Sequence, residues 1–242
     1  MQKLWIICFF AFIIPCFYII SGQYNTSIID LWKIIGNQFG NFYQVDPIVE
    51  RVFLHLRIPR AITAIICGAG LAASGCALQG IFSNPLIGPQ IIGVYSGSAF
   101  GGALGILLYE NSYFVLLLAF VFGIISMILV FFISQVNHSS NRLTLILAGI
   151  VSSSFFLALV SMVKFLADPD DKLPAITYWL MGSFATSSYE KILLVSPPIL
   201  ISIILLAILG YRIDVLNLGD DHAKSLGLNV NLGIFPAFEI SI

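Results

Sequence analysis

Apolar residues gather into six long runs, and the polar residues are confined to the breaks between them. The runs are about Leu4–Ile20, Arg60–Phe82, Ile91–Tyr109, Tyr113–Ser134, Leu143–Leu166 and Ile192–Tyr211. A helix needs about 20 apolar residues to cross a bilayer, and each run is near that length. The runs are continuous and lack the ten-residue alternation of barrel strands, so they predict helices. The expected fold class is all-α: a polytopic membrane helical bundle forming one domain over residues 1–242. The longest polar breaks are Ser21–Leu56 and Ala167–Lys191. Within the second, Tyr178-Trp179-Leu180-Met181 predicts a short helix at the membrane interface, where aromatic rings favour the headgroup level.

Composition leaves no soluble reading. Hydrophobic residues make up 59% of the 242 and charged residues 10%, with a mean hydropathy of +0.99. Soluble domains carry about 25% charged residues. A formal net charge of -1 gives no basic surface for nucleic acid. Cys8, Cys16, Cys67 and Cys76 lie in apolar runs without paired metal-ligand spacing and read as small buried hydrophobes. The first run has a basic start at Lys3, but it is longer than a signal-peptide core, holds Pro15 and lacks a clear cleavage site; the expectation is a retained anchor.

Small residues recur at four-residue spacing in two runs. Gly93, Gly97, Gly101 and Gly105 share one face of the third, and Ala64, Gly68, Ala72, Cys76 and Gly80 one face of the second. Such faces let helix backbones approach closely in lipid. They read as packing seams, or as faces that slide during gating.

The candidate chemistry is sparse. No phosphate-binding G-x-x-x-x-G-K-[ST] loop, H-E-x-x-H motif or paired carboxylate occurs in the runs. His55, His138 and His222 stand apart in polar stretches. Ion-coupled carriers keep Asp, Glu or His at membrane depth. Here the interior polar residues are mainly Ser74, Gln79, Ser96, Ser98, Ser126 and Ser152-Ser153-Ser154. Their side chains either line a pathway or bond to carbonyls of their own helices. No catalytic residue, metal site or cofactor is expected. A carrier without a coupling group or nucleotide site needs a separate motor.

Three stretches then carry a resemblance. Arg57-Ile58-Pro59-Arg60 leads to Gln79-Gly80, Asn84-Pro85-Leu86-Ile87-Gly88-Pro89 and Gly93; Leu145–Ile150 reads L-I-L-A-G-I; and Tyr178–Phe184 is followed by Leu218–Gly227. In this order over about residues 4–230, the chain resembles the permease subunits of ABC importers for iron chelates, a group that includes the cobalamin permease. The resemblance implies a multi-pass protein of the bacterial inner membrane that moves an iron-siderophore, heme or cobalamin-like chelate. Its implied partners are a cytoplasmic ABC ATPase, a periplasmic or lipid-anchored substrate-binding protein, a second permease subunit (identical or not) and lipid.

The resemblance also implies roles. Arg57 and Arg60 would dock the binding protein from outside, although a headgroup anchor fits them equally. Asn84, Pro85, Leu86, Ser140 and Asn141 would narrow the pathway at the cytoplasmic side. The segment 215–231 would couple to the ATPase through Leu218, Gly219, Asp220, Asp221, Ala223, Leu226 and Gly227. The implied orientation puts Lys33, Arg51, Arg57, Arg60, Lys164, Lys172 and Lys191 outside, against Lys3, Arg142, Arg212 and Lys224 inside. Seven against four opposes the positive-inside tendency. The six runs are fewer than the ten spans implied, so a truncated or split permease is expected, with a non-transporting scaffold as the competing reading.

Overall fold

The computed structural model describes residues 27–37, 43–109, 111–135 and 142–219, with positions 9, 13–15, 17–20, 22, 40, 222, 225 and 226. Among these residues every regular element is helical. The elements are α1 (Ile28–Asn37), α2 (Pro47–Val52), a π-helical turn (Phe53–Arg57), α3 (Ile58–Phe82), a 3₁₀ turn (Pro89–Ile92), α4 (Val94–Leu108), α5 (Ser112–Gln135), α6 (Arg142–Leu166), α7 (Lys172–Met181) and α8 (Tyr189–Asn217). By length and composition, Pro47–Phe82, Ser112–Ser134, Leu143–Leu166 and Tyr189–Asn217 can cross a membrane, whereas Val94–Leu108 is shorter.

Three regions depart from the sequence pattern. The run Ile91–Tyr109 does not form one helix: it breaks at Gly93, whose backbone is left-handed (φ 86°). Pro89 opens the preceding 3₁₀ turn, and only 15 residues remain for α4. The polar stretch Ser21–Leu56 holds two short helices that are not among the six long runs, although α1 repeats apolar residues at helical spacing (Ile28, Leu31, Ile34, Ile35). Their ends carry capping signals as well. Ser27 Oγ accepts from the Ile29 amide while Asp30 Oδ2 accepts from the Ser27 amide, a reciprocal cap. Asp46 accepts from the Ile48 amide, with Pro47 at the first helical position. The sixth run extends at both ends into α8, which contains Pro197 and Pro198. Of the first run, residues 13–15 and 17–20 are helical and most of the rest lies outside the described residues.

The chain divides into two compact units. The first comprises Met1–Ala69 and Phe184–Leu200; its core is Leu31, Ile34, Val49 and Phe53. The second comprises Gly70–Ser183 and Ile201–Ile242. Its larger core joins Leu78, Ile81 and Phe82 of α3 to Val130 of α5, Leu145 and Ala148 of α6, and Ile213, Val215 and Leu216 of α8. A smaller core sets Ala103 of α4 against Val163 and Ile176.

Candidate functional site

In the first unit, the π-helical turn sits immediately before α3. Such a turn displaces backbone hydrogen bonding by one residue and leaves carbonyls without their usual partners. Tyr189 fills one by donating its hydroxyl proton to the Leu54 carbonyl at 2.7 Å, and its ring meets His55 edge-on.

Arg57 closes the same turn. It is 7% exposed, and its Nη1 donates to the carbonyls of Ile19 and Ile20 at 2.8 and 3.1 Å. Both belong to the helical residues 17–20, so a cation sits where carbonyls end a helix. Arg57, expected to dock an outside partner, holds its guanidinium buried against these carbonyls. Arg60 is half-buried. Its Nη2 donates to the Ala185 carbonyl at 3.0 Å, while its buried Nε has no hydrogen-bond partner among the described residues. Arg60 therefore ties the segment before α8 to the start of α3, and Lys191 of α8 binds the same segment, its Nζ donating to the Thr186 carbonyl at 3.0 Å.

In the second unit, α3 ends in a paired cap. The Asn84 amide donates to the Gln79 carbonyl at 3.1 Å and the Ser83 amide to the Gly80 carbonyl at 3.2 Å. This is the Schellman pattern, whose left-handed position usually holds glycine. Here it holds Ser83 at φ 49°. Asn84 Oδ1 then accepts from the Leu86 amide at 3.0 Å, and Pro85 prevents the helix from continuing. The turn points Leu86 outward at 86% exposure while burying Ile87. Ser140 and Asn141, expected to narrow the pathway along with this turn, lie outside the described residues.

Past this turn, Gly93 is held by three donors. Its carbonyl accepts from Ser96 Oγ at 2.7 Å, Ser126 Oγ at 2.8 Å and the Gly97 amide at 3.0 Å. Ser126 and Ser152 also share a hydrogen bond of 3.1 Å, and all three serines are buried. These hydroxyls bind α5 and α6 to the start of α4 rather than lining an open path. Gly149 of α6 completes the fit: a methyl group there would come within 2.5 Å of the Ile91 carbonyl oxygen.

The glycine face of α4 abuts α5. A methyl group at Gly97 would lie 2.6 Å from the Phe122 carbonyl oxygen, and one at Gly101 2.7 Å from the Leu118 carbonyl carbon. At Gly105 it would lie 2.8 Å from Val115 Cα. Gly102, on another face, receives the Trp179 ring of α7. Gly68 differs, because a methyl group there would meet nothing within 4 Å.

α8 ends at Asn217, and Gly219 follows in a left-handed conformation (φ 100°). Leu218 and Leu226 are 62% and 58% exposed. The Leu226 amide donates to the His222 carbonyl at 3.1 Å. Asp220, Asp221, Ala223 and Gly227 lie outside the described residues. Ser83 went unnoticed in the sequence because its neighbours give no local signal for left-handed backbone. Tyr189 was equally hidden, since its acceptor is a carbonyl freed only by the π-helical turn.

Among the described residues, no group of three or more His, Cys, Asp or Glu side chains could hold a metal ion. The arrangement therefore offers anchored turns, exposed leucines and close helix seams.

Comparison with known proteins adds a family. The model of the FecCD transport family matches residues 7–238. The chain is 42% identical over 209 residues to the molybdate import system permease protein MolB of Haemophilus influenzae, covering 86% of this chain and 62% of that protein. It is 32% identical over 215 residues to the hemin transport system permease protein HmuU of Yersinia pestis, covering 86% and 61%. The chain thus spans about three fifths of the length of these two relatives. A solved inward-facing ABC transporter, described as of metal-chelate type, superposes with a TM-score of 0.83 at 38% identity, covering 99% of this chain and 72% of that one.

Proposed function

The chain belongs to the FecCD transport family, and from that premise we propose that it is the membrane-spanning permease subunit of an ABC importer. ATP hydrolysis resides in a separate cytoplasmic chain, and an external binding protein delivers the cargo. A second permease subunit completes the pathway in the bacterial inner membrane. The observation that carries this reading is the family match across residues 7–238.

In this reading Ser21–Leu56 and Ala167–Lys191 face outside, and Asn84–Gln90 and Val215–Asn231 face the cytoplasm. The burial of Arg57 eases the charge conflict, since a guanidinium committed to helix carbonyls is not a free surface charge. Binding-protein docking is assigned to Arg57 and Arg60 and the exposed surface around them. The Asn84–Leu86 turn, with Ser140 and Asn141, narrows the cytoplasmic end. Leu218, Gly219, Asp220, Asp221, Ala223, Leu226 and Gly227 form the contact to the ATPase.

The cargo is a metal complex, with an iron-siderophore, heme or cobalamin-like chelate as the first reading. The 42% identity to a molybdate permease supports a second, a small metal oxyanion. Uptake into proteoliposomes that contain this chain, its ATPase and its binding protein separates them. ATP-dependent accumulation of labelled ferric chelate but not molybdate supports the first, and the reverse supports the second. No ATP-dependent accumulation of any metal complex, with all subunits assembled, contradicts the importer reading in favour of a scaffold or inactive fragment.

A further inference from the structure

The ends of α3 and α8 share a cap. Ser83 Oγ lies 3.3 Å from the Asn217 carbonyl oxygen and 3.5 Å from that of Leu216, both in the last turn of α8. The Gly219 amide also donates to the Leu216 carbonyl, at 3.2 Å. One acceptor thus serves the cap of α8 through Gly219 and the cap of α3 through Ser83. Terminal helix carbonyls lack partners within their own helix, which makes them available for this purpose.

The helix ends are also in direct contact. A methyl group at Gly80 would come 2.5 Å from Ile213 Cγ2, and Ile81, Phe82, Val215 and Leu216 share a core. Packing would survive with glycine at position 83, the residue type that left-handed backbone favours. A serine there accepts backbone strain, and such outliers persist where surrounding structure holds them. What the side chain adds is the bond to α8.

We propose that Ser83 is a positioning residue that joins the Asn84–Gly88 turn to the end of α8, so that a displacement of the segment beyond Gly219 is carried into the turn bearing Leu86. The far end of the turn is fixed separately, through the Gly93 carbonyl and its serine donors. Held at Gly93, the turn responds to a push at Ser83 by re-aiming Leu86. This deepens the importer reading on which it rests: it names the residue through which ATPase docking reaches the narrow point.

The test is hydrogen exchange on the full chain in lipid nanodiscs, which requires neither cargo nor ATPase. Three variants separate strain from linkage. Ser83→Gly relieves the backbone and removes the hydroxyl. Ser83→Ala keeps the strain and removes the hydroxyl. Ser83→Asn tolerates left-handed backbone and restores a donor. In Ser83→Gly, peptides spanning 214–219 exchange about fivefold faster than wild type while those spanning 79–84 do not, as expected for one lost hydrogen bond. Ser83→Ala speeds exchange in both, and Ser83→Asn restores the end of α8. An unchanged α8 end in both Ser83→Gly and Ser83→Ala overturns the proposal and leaves Ser83 a cap of α3 alone.

The functional arm is metal uptake per ATP hydrolysed in the assembled importer, using labelled molybdate and ferric citrate. Ser83→Gly lowers this ratio severalfold with hydrolysis retained, and Ser83→Asn recovers it. An unchanged ratio in Ser83→Gly also overturns the proposal. If wild type shows the exchange linkage yet no ATP-driven uptake, the importer reading fails while the joint stands.

Discussion

Two helices carry the same spacing of small residues and use it differently. On α4, Gly97, Gly101 and Gly105 bring the backbone against α5 at distances that leave no room for a methyl group. On α3, Ala64, Gly68, Ala72 and Cys76 are exposed, and only Gly80 at the end of that series meets a tight neighbour, Ile213. A small face permits close approach without compelling it. In lipid no hydrophobic force drives helices together, so a seam closes only where contacts and hydrogen bonds reward closure. The α4 seam has them, in the Gly93 carbonyl and in Ser126, which comes from α5. The open face of α3 also differs from the exposed faces of α5 and α6. Phe120, Phe132, Leu147 and Phe155 suit acyl chains, whereas alanine and glycine give a lipid little to cover.

Substitutions sharpen the contrast, and the largest effect belongs to Gly101→Val. Its side chain must displace the Leu118 backbone, so unfolding in detergent should show a loss of about 3 kcal/mol, the upper part of the range for overpacking. A change below about 0.5 kcal/mol would mean that the seam is looser than described. Gly93→Ala should cost roughly 2 kcal/mol by the same measurement, because alanine resists the left-handed backbone and the Gly149 carbonyl oxygen lies 3.2 Å away. Ser126→Ala removes the bonds to Gly93 and Ser152 and should cost about 1 kcal/mol. Ser126→Ala combined with Ser152→Ala should then cost less than the sum of the two single changes, since the hydroxyls share a bond. Gly68→Ala should be neutral or stabilise by less than about 1 kcal/mol, since alanine favours helix and nothing lies nearby. A strong loss there would show that the α3 face is closed in the membrane.

The apolar runs made the long helices legible, because a span must be continuously apolar whatever it packs against. They did not reveal the break at Gly93: a left-handed glycine inside an apolar run has the same hydropathy as a helical one. Nor did they mark α1 and α2, whose caps at Ser27 and Asp46 are short-range signals within a polar stretch. Among the candidate site residues, the Asn84-Pro85 turn was legible because an Asn-Pro pair favours turn initiation. The burial of Arg57 was not, since its acceptors are main-chain carbonyls nearly forty positions earlier, and carbonyls leave no trace in residue identity. Ser126 and Ser152 were visible as interior hydroxyls, but the carbonyl at Gly93 that selects Ser126 exists only once α4 and α5 have packed.

The most direct test of the importer account is contact with its motor. A photo-crosslinking residue at position 226, exposed beyond the end of α8, should capture the cognate ATPase in native membranes, and one at Tyr95 should not. Separately, with no crosslinker at that position, Leu226→Asp should lower co-purification of the ATPase from detergent-solubilised complexes by tenfold or more, because a charge is costly to bury unpaired at an apolar contact. Capture of the ATPase from position 226, lost on adding free ATPase in excess, is the result the account predicts. A stably inserted chain that gives no crosslink to the ATPase from position 226 would contradict it.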